Sequence, residues 1–163
     1  MSRIILFSVL NFIHLFATVA WFGAMTTNAF ILLPSIKGTL DAPMAGKLMG
    51  KVMKRFRVLV YTCIGLLVIS GIGIVEIIAE GPIFMRFTNF WSTISSIKHI
   101  FTIIVVVLVI YAFEGLGRKV SRIAQKGPST ELVHLQKKQV VFSYIGLVLS
   151  VIILILTAIL TAL

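Results

Sequence analysis

Residues 4–33 read IILFSVLNFIHLFATVAWFGAMTTNAFILL, an unbroken apolar run without a single Asp, Glu, Lys or Arg. A run of that length exceeds the ~20 residues a helix needs to cross the hydrocarbon of a bilayer. Three more follow, so that the spans fall at about 4–33, 58–78, 94–113 and 140–163. The composition agrees, with 59% hydrophobic and only 12% charged residues, against roughly 25% charged in soluble domains. Backbone amides in lipid must find their partners within the chain, and runs of this length suit helices rather than the shorter strands of a barrel. The expected fold is all-α: a single integral membrane domain built as a four-helix transmembrane bundle.

The first run has some features of a secretory signal, since Arg3 precedes it and Thr18-Val19-Ala20 offers small residues for cleavage. Its apolar character continues to Leu33, however, and the bulky pair Trp21-Phe22 follows the cleavage candidate. A retained helix is the expectation.

A net charge of +10 would suggest nucleic acid in a soluble protein. Here the charge sits beside the spans. Lys37, Lys47, Lys51, Lys54, Arg55 and Arg57 lie in the first connection, and Arg118, Lys119, Arg122, Lys126, Lys137 and Lys138 in the third. The second connection holds only Arg86 and Lys98. Because Lys and Arg collect in cytoplasmic loops, the first and third connections are expected in the cytoplasm, with both termini outside. The natural partners of these cations are anionic headgroups of the lipid bilayer, and no nucleic acid is expected. A bacterial or archaeal cytoplasmic membrane fits this pattern.

In the first connection, Asp41 is placed to cap a helix ahead of Ala42-Pro43. Leu48, Met49, Val52, Met53 and Phe56 then share one side, the pattern of an amphipathic helix lying in the interface. Met44, Met49 and Met53 form a row that packing explains better than soft-metal binding. Gly127-Pro128-Ser129 marks a turn before the last helix, which Ser129 or Thr130 with Glu131 can open. His134 belongs to this polar segment and is expected to be solvated. Cys63, the one cysteine, rules out an internal disulfide and any cysteine-built zinc or iron–sulfur site, and reads as a buried thiol.

The chemistry lies inside the spans. On the first helix, Asn11, Thr18, Trp21, Met25 and Asn28 fall within about 60° of His14, which lies roughly 15 Å below the helix start. Polar groups at that depth are costly and tend to face the bundle interior. The third span repeats the pattern, with Ser92, Ser95, Ser96 and Thr102 around His99 and with Val106, Ile110 and Phe113 continuing inward. Thr62, Gly65, Gly73 and Glu76 share a face of the second span; Ser143, Gly146, Ser150, Thr157 and Thr161 share one of the fourth. Small residues there permit close helix packing, or leave room for a flat ligand. Glu76 can pair with Lys98, or can hold the second nitrogen of a metal-ligating imidazole. Two inward histidines on helices one and three in the same half of the bilayer are suited to ligate haem or another metal.

The segment from His14 through Trp21 to Gly23 resembles the first helix of CopD-like copper-resistance membrane proteins. Its spacing of histidine, six residues and tryptophan is also similar to that of the small haem-binding HemJ-type protoporphyrinogen oxidases. Arg55-Phe56-Arg57 leading into a span that ends in Ser70-Gly71 resembles the second CopD-like helix, and Lys98-His99 lies where a polar residue opens a later helix in both. The resemblance implies functional roles for His14 and Lys98.

These readings converge on a haem b-binding membrane protein that transfers electrons, as a homo-oligomer or as a subunit of a membrane redox complex. His14 and His99 would be the axial ligands, lined by Asn11, Thr18, Trp21, Met25, Glu76, Ser95, Lys98 and Thr102. The alternatives are CopD-like copper handling with His14 and Met25 as soft-ligand candidates, a HemJ-like oxidase, and a structural subunit.

Overall fold

The computed structural model describes residues 2–40, 42–78, 87–124, 127 and 129–162. Asp41, Arg86, Lys126 and Pro128 lie outside them, as do the side chains of Lys37, Pro43 and Lys47. Among the described residues the secondary structure is all helix: α1 Ser2–Thr27, a π turn Asn28–Leu32, α2 Leu33–Thr39, α3 Ala42–Ile78, α4 Phe90–Ile110, a second π turn Tyr111–Gly117, α5 Arg118–Ala124 and α6 Thr130–Ala162. Four of the resulting rods are long and apolar enough to cross a membrane: Ser2–Ile36, Leu48–Ile77, Phe90–Ala124 and Thr130–Ala162. The chain is an integral membrane protein with four transmembrane helices.

The rods outrun the apolar spans for a local reason. Pro34 has no N–H, and in a regular helix its ring would crowd the carbonyl of Phe30. The π turn just ahead of it, closed by Leu33 N–H to the Asn28 carbonyl, widens the helix enough for it to continue. At the other π turn Gly115 and Gly117 weaken the α-helical preference, yet the rod runs on through α5. The helix starts carry recognisable caps. Asn89 accepts from the Ser92 amide at 2.7 Å while the Ser92 hydroxyl receives the Asn89 amide at 3.1 Å, a reciprocal box at the head of α4. Ser129 receives the Leu132 amide at 3.2 Å, as its position before α6 leads one to expect.

One element differs from the sequence expectation. The amphipathic stretch through Phe56 is no separate interfacial helix; it is the first part of α3, a single helix of 37 residues and ~55 Å. The charges at Lys54, Arg55 and Arg57 do not interrupt it, because Lys and Arg are good helix formers.

Packing is antiparallel. α1 lies chiefly against α3, α4 against α6, and α1 also touches α6. On the α1–α3 seam, Leu10 seats against Gly73 and His14 against Gly71. Lower on the same seam Trp21 joins Cys63, Val60 and Val105 in the core. α3 meets the π turn after α4 through Arg57 and Tyr61, so α1 and α4 stand on a diagonal. The start of α1, the end of α6 and the start of α4 lie at one end. At the other, basic end are Lys51, Lys54, Arg55, Arg57, Arg118, Lys119, Arg122, Lys137 and Lys138. The apolar side chains that face away from the bundle, such as Ile4 and Val19 at 71% exposure, are those a bilayer would cover.

Candidate functional site around His14 and His99

His14 is held on the bundle side of α1 by Ser70 of α3. Its Nδ1 lies 2.9 Å from the Ser70 hydroxyl, and that hydroxyl gives its own proton to the Leu66 carbonyl at 2.5 Å. Having one proton to give, Ser70 can only accept from the histidine. Nδ1 is therefore the protonated nitrogen of the neutral ring, and Nε2 keeps its lone pair. The ring rests over Gly71, whose missing side chain leaves space: a Cβ there would stand 3.5 Å from the histidine Cε1.

His99 is arranged in the same way from its own helix. Its Nδ1 is 2.6 Å from the Ser95 carbonyl, a group that only accepts, so here too Nε2 is the basic nitrogen. Depth can be traced along the seams. Moving up α3 from Arg57 to Ser70, and an equal distance back along α4 from its partner Phe113, arrives at Ile100. His99 thus lies within about a turn of the level of His14. Lys98 and His99 both stand close enough to His14 to act on it electrostatically.

The remaining expected site residues divide. Thr18 and Thr102 turn their hydroxyl protons back to the carbonyls of His14 and Lys98, both at distances below 3 Å (2.8 and 2.9 Å). They flank the histidines on the two helices. Ser95 is buried and supplies the His99 acceptor. Ser92 is buried too, but its hydroxyl serves the helix cap.

Trp21 and Met25 form a separate unit about two to three turns deeper. The indole Nε1 donates to the Met25 sulfur at 2.8 Å, and Ser150 of α6 reaches the same sulfur at 3.8 Å. The Met25 methyl fills the space over Gly146. Eleven residues of helix separate Met25 from His14, about 16 Å of rise, too far for both to ligate one ion.

Asn11 is exposed. The buried line of α1 runs through Ala17, Trp21 and Asn28, and Asn11 lies roughly 100° round the helix from it. In α3 the buried line is Val60, Cys63 and Ser70. Thr62, Gly65 and Glu76 are exposed on another side, so the face expected to line a pocket there does not. Glu76 makes no ion pair with Lys98 among the described residues. In α4 the inward residue is Val105 at 3% exposure, whereas Ile110 is 44% exposed. Gly146 and Ser150 of α6 are buried as expected, and Thr161 is not. His134 is exposed and Cys63 is buried, both as expected.

Two groups of residues escaped the sequence reading of the site. Ser70 and Gly71 form the seat of His14; they stood in the sequence only as a small dipeptide ending the stretch that resembles a CopD-like second helix, with no role at the site. The other group lies at the basic end. Glu114, in the second π turn, accepts from the Tyr61 hydroxyl at 2.9 Å. Arg57 approaches its carboxylate at 3.6 Å, and Arg118 pairs with its other oxygen. Arg57 also reaches the Phe113 carbonyl at 3.3 Å and lies 5.9 Å from the centre of the Phe113 ring.

Among the described residues no group of three or more His, Cys, Asp or Glu converges on a metal-binding point. A pair of imidazoles is the arrangement left. No curated protein and no solved structure matches the chain. One family model does, described as a domain of unknown function, DUF4149, over residues 16–129.

Proposed function

We propose that this chain, which belongs to the DUF4149 family, is a haem b protein of the membrane that transfers electrons through a haem held by His14 and His99. The observation that carries this reading is the matched state of the two imidazoles. Each has Nδ1–H committed to an oxygen acceptor, Ser70 for His14 and the Ser95 carbonyl for His99. Metal-ligating histidines are ordinarily fixed this way, because a partner on one nitrogen sets both the tautomer and the ring orientation of the other.

The surroundings fit the group. Gly71, Ser95 and Ser96 are small, and Lys98 is a half-buried cation with no ion pair among the described residues. Haem b carries two propionates, and Lys98 would neutralise one of them. A bound haem supplies one-electron exchange between ferric and ferrous iron, with a potential that burial and axial ligation tune. The chain's part is to hold the imidazoles, to keep Nδ1 protonated, and to exclude water with Trp21 and the apolar core beneath. The basic end faces the cytoplasm, in keeping with its surplus of Lys and Arg. Copper handling through His14 and Met25 finds less support, since the Met25 sulfur is already engaged and lies too far along the helix.

Purified protein should show a Soret band and a sharp α-band on reduction, with iron as its metal. His14→Ala and His99→Ala should each abolish the low-spin spectrum while the helical circular dichroism remains. A folded preparation that neither carries haem nor takes it up from added hemin would overturn the reading. Bound copper without iron would favour the copper alternative.

A further inference from the structure

The basic end carries a feature that the histidine site does not use. Gly115, Arg118, Lys119 and Arg122 line a cavity of about 230 Å³ on the outer side of the rod formed by α4, the second π turn and α5. The cavity ends a longer stripe. Ile103, Val107 and Tyr111 precede it at helical spacing, 47%, 59% and 52% exposed, and Gly115, Lys119 and Arg122 continue the same face, all exposed. One face of one rod therefore passes from branched aliphatic side chains to an aromatic ring, then to a notch without a side chain, then to cations.

We propose that this face binds an anionic phospholipid of the adjacent leaflet, its acyl chain along Ile103 and Val107 and its phosphate in the notch between Gly115 and the three cations. The length matches: from Ile103 to Gly115 the helix rises ~18 Å, and one leaflet's hydrocarbon is ~15 Å deep. Tyr111 is placed at the boundary that tyrosine favours, and its ring is backed by Phe142 of α6 with centroids 5.5 Å apart. Gly115 lines the notch and leaves the Tyr111 ring its place beside it, since a side chain there would begin 3.2 Å from that ring.

The charge is available as well. Glu114 pairs with Arg118, which fixes one guanidinium at the rim. Lys119 and Arg122 make no ion pair among the described residues. A soluble anion would be drawn by the cations alone; the apolar stripe leading into them selects an amphiphile.

The test is native mass spectrometry of the full chain released from nanodiscs of equal parts phosphatidylglycerol and phosphatidylcholine. Wild type should retain phosphatidylglycerol in preference to phosphatidylcholine. Lys119→Gln with Arg122→Gln should weaken retention by about fivefold for each cation removed. Gly115→Leu, which leaves every charge in place, should weaken it comparably. Lys137→Gln with Lys138→Gln, an equal loss of charge from α6, should not. Unfolding temperatures of all variants check that the bundle is intact, and Arg122→Gln alone, on an exposed position, serves if the glycine variant fails to fold. The proposal is overturned if the α6 variant loses lipid as readily as the α5 variant, if phosphatidylcholine is retained equally, or if millimolar inorganic phosphate displaces the lipid.

Discussion

Ser70 determines which nitrogen of His14 is basic. With its own proton given to the Leu66 carbonyl, the hydroxyl can only receive the Nδ1 proton. Replacing it with alanine removes the acceptor but leaves the packing volume nearly unchanged. Hydrogen bonds between membrane helices contribute about 0.6 kcal/mol on average, so Ser70→Ala should lower the unfolding free energy only slightly. Its effect on the proposed cofactor should be larger, a loss of roughly 10- to 100-fold in haem affinity, as for other partners of ligating imidazoles. Hemin titration of the apoprotein beside a steric-trap or thermal unfolding curve separates the two effects; a large stability loss with unchanged affinity would make Ser70 a packing residue only. Gly71→Ala, whose Cβ would meet the ring at an ordinary 3.5 Å, should be tolerated by both measurements, whereas Gly71→Leu should displace the ring and lose haem.

The two π turns are where long rods bend the rules to stay continuous, and the second has acquired side-chain support. Widening the helix at Tyr111–Gly117 brings Glu114 toward Tyr61 and Arg57 and leaves the Phe113 carbonyl for Arg57. These contacts tie α3 to α4 at the end opposite the histidines. Glu114→Gln should therefore loosen that end first, seen as faster amide exchange over residues 111–117 with little change at residues 94–102. Combined with Tyr61→Phe it should cost less than the sum of the single changes, since Tyr61→Phe deletes the hydrogen bond whose charge assistance Glu114→Gln removes. Additive losses would show that the two side chains act independently. Little of this element was legible beforehand: Glu114 stood at the edge of an apolar run, and nothing in its neighbours revealed that a residue 53 positions earlier would meet it.

The assembled bundle places the start of α1, the end of α6 and the start of α4 at one end, and the basic extensions of α3, α5 and α6 at the other. If the basic end is cytoplasmic, His134→Cys should resist a membrane-impermeant maleimide in right-side-out vesicles and react once they are opened, while Ser2→Cys reacts from the start. Cys63 is buried and should stay unlabelled in both. The reverse pattern would invert the topology and move the histidines to the cytoplasmic half. Four spans, an all-helical fold, a buried Cys63 and an exposed His134 could be read from the sequence, because hydropathy over ~20 residues and the absence of water in lipid act locally on any chain. The inward direction of each helix could be read only in part. His14 and Trp21 gave the α1 face within a few tens of degrees, but Asn11 lay off it. On α3 the small residues Thr62 and Gly65 pointed away from the core that Val60, Cys63 and Ser70 form, since a small residue permits a neighbour without requiring one. The seat of His14 at Ser70 and Gly71, and the meeting of Arg57 and Tyr61 with Glu114, depended on the register between helices. That register is set by how whole faces interlock, information that no single helix carries.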